Sequence, residues 1–423
     1  MIIYLFYNYK IMTLKIDIEL NNQPNDDTIE FDIKGDVENG LHPSIVNAIR
    51  RTLLSDIPTL GYRTEINNKD IIIVKNNTSL HNEFLEQRIS LIPLYIDPET
   101  YQKQYLFHLK IIDNNSPEPI MKITAKDFNL YPLKKETNIE ELKEQTDIDI
   151  SKYDLDTPLP YKDKVRVFKP YKYNGEDYFV PITEIKKSSS SIKQELELWA
   201  VPRVSAAYED ASWQAVSCAT YSFKKDDDLF QNIIKEKLEL NNVSEDDKED
   251  YIKMLTISDS ERYFFRDKNT NAYWYNFKIE SNHFSSPKEL FIKACQIIID
   301  QLEIIKNELP KLTHETKEES ILRLTFNNNI YTLEINQMND TLGNIIQSYI
   351  SMELIDESEF EVCGYKCIHP LENITQFNIS LEDKVEGHNI EYKVALLIDI
   401  FNKCCMDLIS IYSQIKKEAE LKL

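Results

Sequence analysis

The chain has 423 residues, 42% hydrophobic and 11% aromatic, with 49 Lys and Arg against 71 Asp and Glu for a net charge of −22. That length and apolar content give two to four domains with cores of their own and exclude wholesale disorder. So acidic a balance excludes a broad grip on nucleic acid, because phosphate contacts need Lys and Arg.

The N-terminal MIIYLFYNYK is apolar over too short a run to span a bilayer, and it lacks the basic leader of a signal peptide. Met12 reads as an alternative start, because strand-like alternation begins just after it. Leu14 to Leu20 alternates apolar and polar residues, and Thr28 to Ile33 repeats the signal beyond an Asn/Asp turn, so the pair forms a hairpin. A helix follows from Ser44 to Asp56, with Ile45, Ala48, Ile49, Thr52 and Leu53 on one face, and Pro58 ends it. Ile71 to Val74 reads as a short buried strand and Ser79 to Ser90 as a second helix.

From Asp97 to Asp259 strand-like pieces alternate with acidic loops: Tyr105 to Ile112, Pro119 to Ala125, Lys164 to Phe168, Leu196 to Val201 and Trp213 to Phe223. Ser188 to Ser191 is a flexible loop, and Gln231 to Met254 is a charged, solvated helical excursion. Tyr273 to Glu280 is a strand. Ser286 and Pro287 then open a long helix whose stripe Phe291, Cys295, Ile298, Leu302, Ile305, Leu309 has the 4-3 spacing of a helix that pairs with another. Beyond Pro310 and a polar linker, Ile321 to Phe326 and Ile330 to Ile335 form a second hairpin. A helix from Thr341 to Met352, strands at Phe360 to Lys366 and Ile374 to Ser380, and a helix from Asn389 to Lys416 complete the chain. That last helix carries Val394, Ile398, Phe401, Cys405, Leu408, Tyr412 and Ile415, again at 4-3 spacing.

An offset of 297 lays the two early helices over each other, with Ile45 on Leu342, Ile49 on Ile346 and Leu53 on Ile350. Hairpin, helix, strand and long helix follow in the same order in both copies. The first copy holds far more chain between its early helix and its closing strand, so it carries an insert. Two related units with apolar helical stripes predict a pseudo-symmetric pair made within one chain, which a short linker holds at high effective concentration. The packing residues are then Ile45, Ile49, Leu53, Phe291, Ile298 and Leu302 in one unit and Leu342, Ile346, Ile350, Phe401 and Leu408 in the other.

NAIRRTLLSDIPTL (Asn47 to Leu60) followed by NNTSLHNEFLEQRISLIPL (Asn76 to Leu94) resembles the signature of the α-like subunits of DNA-directed RNA polymerases: bacterial alpha, its archaeal counterpart and the third-largest eukaryotic subunit. YEDASWQAVSCATYSF (Tyr208 to Phe223) is similar to the segment that closes that family's inserted domain. MNDTLGNIIQSYI (Met338 to Ile350) and FEVCGYKCIHPLENITQFNIS (Phe360 to Ser380) resemble the smaller partner of that family, which is the eleventh subunit in eukaryotes and has an archaeal equivalent. A fusion of both in one polypeptide is similar to the arrangement in large nucleocytoplasmic DNA viruses. The resemblance implies an α+β fold of two pseudo-symmetric dimerisation units, each an antiparallel sheet with packed helices. It places an extension at 1–11, the first unit at 12–57 and 224–309, a mostly β insert at 58–223, a linker at 310–319 and the second unit at 320–423. It implies a non-catalytic platform on which the second-largest and largest polymerase subunits and small subunits assemble, a heterodimer formed in cis with no extensive nucleic-acid contact and no membrane. If viral, such a chain belongs to the virion and host cytoplasm, and otherwise to the nucleus.

Arg50 and Arg51 lie off the apolar helix face. As ordinary helix arginines they are solvated, but the resemblance makes them contacts to the second-largest subunit, where guanidinium suits bidentate pairing with carboxylates. Glu83 and Arg88 are similar interface charges, with weak surface salt bridging as the bland alternative. The six cysteines, Cys218, Cys295, Cys363, Cys367, Cys404 and Cys405, lack a disulfide framework and point to a reducing compartment. Cys363 and Cys367 have no second pair to complete a zinc site, so no metal and no cofactor is expected. His42, His81, His283 and His369 are isolated, and no nucleophile, base and orienter can be assembled. KVRVFKPYKY (Lys164 to Tyr173) mixes basic and aromatic residues as nucleic-acid sites do, yet in so acidic a chain it reads first as a surface strand. A stand-alone adaptor using the same dimer fold is the competing function.

Overall fold

The computed structural model describes residues 15–21, 27–38, 40–64, 70–112, 119–137, 148–186, 193–268, 270–282, 284–312, 320–327, 330–355, 358–369, 372–382, 385 and 388–423. The N-terminal extension with Met12, Ser188 to Ser191, His283 and most of the linker lie outside them. The chain divides into two compact units. One takes the chain up to Leu53, Cys218–Glu280 and Pro287–Leu423; the other takes Leu54–Ser217 and Ser281–Ser286.

Among the described residues the first unit holds two four-stranded sheets. One has the strand order Asp17–Leu20, Thr28–Lys34, Trp274–Ser281, Val216–Phe223, and the other the order Leu322–Asn327, Ile330–Asn336, Ile374–Leu381, Phe360–Cys367. Each is a hairpin, then the last strand of its copy, then the last but one, so the repeat extends to topology. Period-two patterning selects the buried face: Tyr275, Phe277, Ile279 and Ser281 point inward from one closing strand. Phe277 stands opposite Phe31 in its ladder and Phe377 opposite Leu333 in the other. The long helix Pro287–Glu308 sets Phe291 edge-on to Phe277, with centroids 5.7 Å apart at 73°. Helix Ile390–Lys422 sets Phe401 on Phe377 in the same way, at 5.3 Å and 84°. Edge-to-face pairs of this kind contribute about 0.5–1.5 kcal/mol beyond the area they bury.

The early helices are Pro43–Ser55 and Asp340–Tyr349, the latter running on as a π-helical turn over Ile350–Leu354. Asn339 caps the second by accepting from the Thr341 and Leu342 amides. Gly343 allows this helix to lie close on its sheet, since a Cβ there would stand 2.6 Å from the Tyr365 ring.

Two boundaries differ from those the sequence predicts. Strand Val216–Phe223 joins the first unit's sheet and the second unit ends at Ser217, so the insert ends at the start of that strand rather than at Phe223. Its alternation looks the same in either place, and only the hydrogen-bonding neighbour decides. The helical excursion is a second, separate insertion between Phe223 and Trp274, where the other copy has only six residues between Cys367 and Ile374. It is two helices, Asp227–Leu240 and Lys248–Asp259, around a small core of Phe230, Ile234 and Leu255. The break falls at Asn242, whose φ of +48° ends the first helix.

In the second unit, strands Ile71–Asn76, Glu195–Ala200, Tyr105–Ile112 and Asn129–Pro132 form a four-stranded sheet in that order, with three two-stranded sheets beside it. Its core gathers Tyr62, Phe107, Phe128 and Phe168 with Leu85 and Ile89 of helix Asn82–Ser90. That helix starts three residues later than Ser79, because the Asn76 carboxamide oxygen takes the Thr78 amide and hydroxyl at 3.0 and 2.8 Å and holds a turn there. Lys164 to Phe168 is no strand: Tyr161–Val167 is a helix after Pro160, and the Phe168 amide donates to the Lys164 carbonyl at 2.9 Å. Burial of Val167 and Phe168 together, impossible for neighbours on a half-buried strand, is satisfied by the helix and its exit.

Candidate subunit interface

The apolar stripes meet inside the first unit. Ile45, Ile49, Leu53, Phe291, Ile298, Leu302, Leu342, Ile346, Ile350, Phe401 and Leu408 are all buried, and the two long helices pack along each other. Each such side chain contributes about 1.5–3 kcal/mol relative to exposure. Polar contacts cross between the copies. The Tyr412 hydroxyl donates to the Ile45 carbonyl at 3.2 Å, Lys416 Nζ to Gln296 Oε1 at 2.8 Å and Lys288 Nζ to the Glu420 carbonyl at 3.0 Å. Lys422 pairs with Asp17. Arg51 Nε donates to Thr341 Oγ1 at 2.8 Å.

A carboxylate and an amide recur at corresponding sheet positions. Asn276 Nδ2 donates to Asp32 at 3.2 Å, and Gln376 Nε2 donates to Glu334 at 3.0 Å; both are directly paired across their ladders. Asp32 is the more buried and collects Asn21 at 2.6 Å, Lys224 at 2.7 Å and Trp274 Nε1 at 2.9 Å. Burial would raise its carboxyl, but the hydrogen bonds from Lys224, Asn21, Asn276 and Trp274 together hold it below the usual carboxylate value.

The four charged candidates fall in different units. Arg50 and Arg51 stand on helix Pro43–Ser55 in the first. Arg50 Nε donates back to Asn47 Oδ1 at 2.9 Å, and the residue as a whole is partly exposed. Arg51, expected to face outward, also reaches the second copy through Thr341. Glu83 and Arg88 stand on helix Asn82–Ser90 in the second unit. Arg88 is tied to its own chain, with Nε donating to the Ile182 carbonyl at 2.6 Å and a terminal nitrogen to that of Pro181 at 2.9 Å. An exposed apolar pair that the charged pattern does not flag stands beside these residues. Phe84, Gln87, Arg88 and Leu91 are exposed at helical spacing, Phe84 by 59% and Leu91 by 56%. The signal lies in the sequence, since Phe84 and Leu91 share one side of the helical wheel, about 100–160° round from the buried pair Leu85 and Ile89.

The thiols are placed for packing. Burial raises Cys295 and Cys404 well above the ordinary range and pushes Cys363 and Cys405 up to about 12. Among the described residues no three His, Cys, Asp or Glu side chains come together as metal ligands, and no helix is long and apolar enough to cross a membrane.

Two copies of one sheet-and-helix unit, packed through apolar helix faces, define a dimerisation fold written twice in one chain. Family comparison gives the same division: residues 37–302 and 331–418 each match the RNA polymerase Rpb3/Rpb11 dimerisation domain. The chain belongs to that family. It is 27% identical over 189 residues to DNA-directed RNA polymerase subunit Rpo3 of Pyrobaculum arsenaticum, covering 44% of this chain and 57% of the relative. It is 36% identical over 81 residues to subunit RPAC1 of mouse RNA polymerases I and III, 19% of this chain and 20% of the relative. It is 23% identical over 290 residues to subunit 3B of Arabidopsis thaliana RNA polymerases IV and V, 63% of this chain and 82% of the relative. The chain thus spans less than two thirds of the length of the first two.

Proposed function

We propose that this chain is a non-catalytic assembly subunit of a DNA-directed RNA polymerase, an α-type heterodimer formed in cis on which the two largest subunits build. The observation that carries the reading is the pairing of two dimerisation modules of identical strand order within one compact unit, where the relatives are polymerase subunits. With the dimerisation faces buried against each other, what is left for partners is their outer surface. In the first unit that surface includes the exposed Arg51 and the partly exposed Arg50; in the second it is the stripe Phe84, Arg88 and Leu91, with Glu83 at the helix start. Apolar anchors ringed by charge are the composition of an interface core and rim.

Affinity purification of the native complex tests the reading: two very large subunits should accompany this chain in equal amount. Recovery of the chain alone, with transcription intact after its depletion, sinks it. Arg50→Glu should weaken recovery of the second-largest subunit without lowering the melting temperature, and Phe84→Glu with Leu91→Glu should do the same for whichever subunit covers that helix. The likeness of the fusion to that of large nucleocytoplasmic DNA viruses supports a working site in the virion and host cytoplasm, with the nucleus as the alternative. Fractionation with an antibody to this chain checks it, and a nuclear pool alone rejects it.

A further inference from the structure

Where helix Asn82–Ser90 ends, the chain opens into a cleft that lies wholly within the second unit. One wall is fixed by packing. Strand Thr59–Gly61 pairs with Arg203–Ser205, and the buried Trp213 sits on Gly61 so closely that a Cβ there would stand 2.8 Å from its Nε1. That nitrogen donates to the Arg203 carbonyl at 3.3 Å, and Asp210 Oδ1 accepts the Ser212 amide at 2.8 Å, which holds the turn Ala211–Trp213 on the strand. The chain leaving the helix adds Leu91, Pro93 and Leu94. The Asn282 amide ties its own segment to the Ala215 carbonyl at 2.9 Å. The space between these groups is about 240 Å³.

The lining departs from the rest of the chain. None of its eleven residues is a Lys, Arg, Asp or Glu, where a chain 28% charged would place about three. It is polar nonetheless, with Thr59, Ser212, Gln214, Ser217 and Asn282 supplying hydroxyls and carboxamides. Among the described residues the Thr59 and Ser212 hydroxyls and the Asn282 carboxamide make no side-chain hydrogen bond, and Gln214 uses only its Nε2, on the Val216 carbonyl at 2.8 Å. Thr59 lines the cleft while only 7% exposed, so a partner for its hydroxyl has to enter by that route.

We propose that this cleft receives an uncharged turn of the subunit that covers helix Asn82–Ser90, held through peptide groups and carboxamide or hydroxyl side chains. Peptide and carboxamide groups carry a donor and an acceptor together, as the lining does. A charged side chain would lose its water there and find no countercharge. An apolar one would leave the Thr59 hydroxyl enclosed without a hydrogen bond. The cleft is smaller than the roughly 300–1,000 Å³ of a small-molecule pocket. Its rim is the exposed Leu91, which ends the stripe begun by Phe84, so a chain lying on that helix runs directly into it. The occupant is a polymerase subunit only if the assembly function holds, and the proposal rests on that reading.

Quantitative mass spectrometry of the native complex purified on a tagged full chain tests it. The subunit on the helix is the one whose recovery falls with Phe84→Glu and Leu91→Glu. S212D and S212K should each lower its recovery about fivefold or more, whereas S212T, which keeps the hydroxyl, should stay within about twofold. T59V, of the same shape without the hydroxyl, should lose about fivefold at an unchanged melting temperature. Should a charged variant melt early, A211W, at an exposed position on the cleft, should give the same loss by filling it. Opposite responses to Asp and Lys would reveal a charged occupant and overturn the proposal. So would recovery equal to wild type in T59V, or in the charged variants and A211W. Failure of the assembly reading looks different: wild type itself brings down no large subunit, and the proposal falls with it.

Discussion

Asp32 shows how one side chain ties strands that are remote in sequence. It draws Asn21 from the neighbouring strand's exit, Lys224 from beyond Phe223 and Trp274 and Asn276 from the closing strand onto one buried carboxylate. Its folded-state pKa lies below the unfolded value, so its stabilisation is present above about pH 4 and is lost as pH falls through the folded value. Urea unfolding of wild type and Asp32→Asn between pH 3 and 7 should show the variant weaker by about 1–3 kcal/mol at neutral pH, with the difference closing in acid. Arg203→Ala in the second unit should cost about 3–5 kcal/mol, because Asp70, 3% exposed, accepts Arg203 Nε at 2.7 and 2.8 Å and would be left as a buried charge without its fork. Thiol titration gives a third check. Cys295, Cys363, Cys404 and Cys405 are buried and only Cys218 and Cys367 partly open, so a thiol reagent should modify no more than those two in the native chain and all six in denaturant.

At the scale of elements, the second insertion is an appendage with its own footing. Asp226 donates its amide to the Tyr263 carbonyl at 3.0 Å, and Phe265 donates to the Lys224 carbonyl at 3.1 Å, so the chain is already closed like a hairpin at the base of the two helices. Replacing residues 227–262 by Asn-Gly should therefore leave a cooperative fold, with helix content reduced and melting within a few degrees of wild type by circular dichroism. Collapse of the whole unit on that deletion would show that its small core is shared. Helix faces, the hairpins and the 4-3 stripes were legible from residue spacing, since a 3.6-residue period is set by the chain itself. Lys164 to Phe168 was not, because K-V-R-V-F satisfies a period of two and a short helix equally well. Nor was the membership of Val216–Phe223, because alternation reveals that a strand has a buried side and leaves open which strands flank it.

For the whole molecule, the pairing of the two copies predicts that the linker is dispensable for association. Residues 1–312 and 320–423, expressed as separate chains, should copurify at one to one, held by the stripes that meet in the first unit. Leu302→Glu with Leu408→Glu should abolish that recovery, because a carboxylate placed among buried aliphatic side chains is desolvated without a partner. Copurification that survives this pair of changes would mean that other surfaces hold the copies together. The sequence by itself determined that there are two copies, because order, spacing and the 297-residue offset are properties of the chain. It also determined which helix faces are apolar, since patterning is local. Only the tertiary structure decided what those faces meet, where the first copy is interrupted a second time, and that Arg51 and Arg88 reach groups of their own chain. Those are questions of which groups lie within hydrogen-bond or van der Waals reach across hundreds of residues, and no local period encodes them.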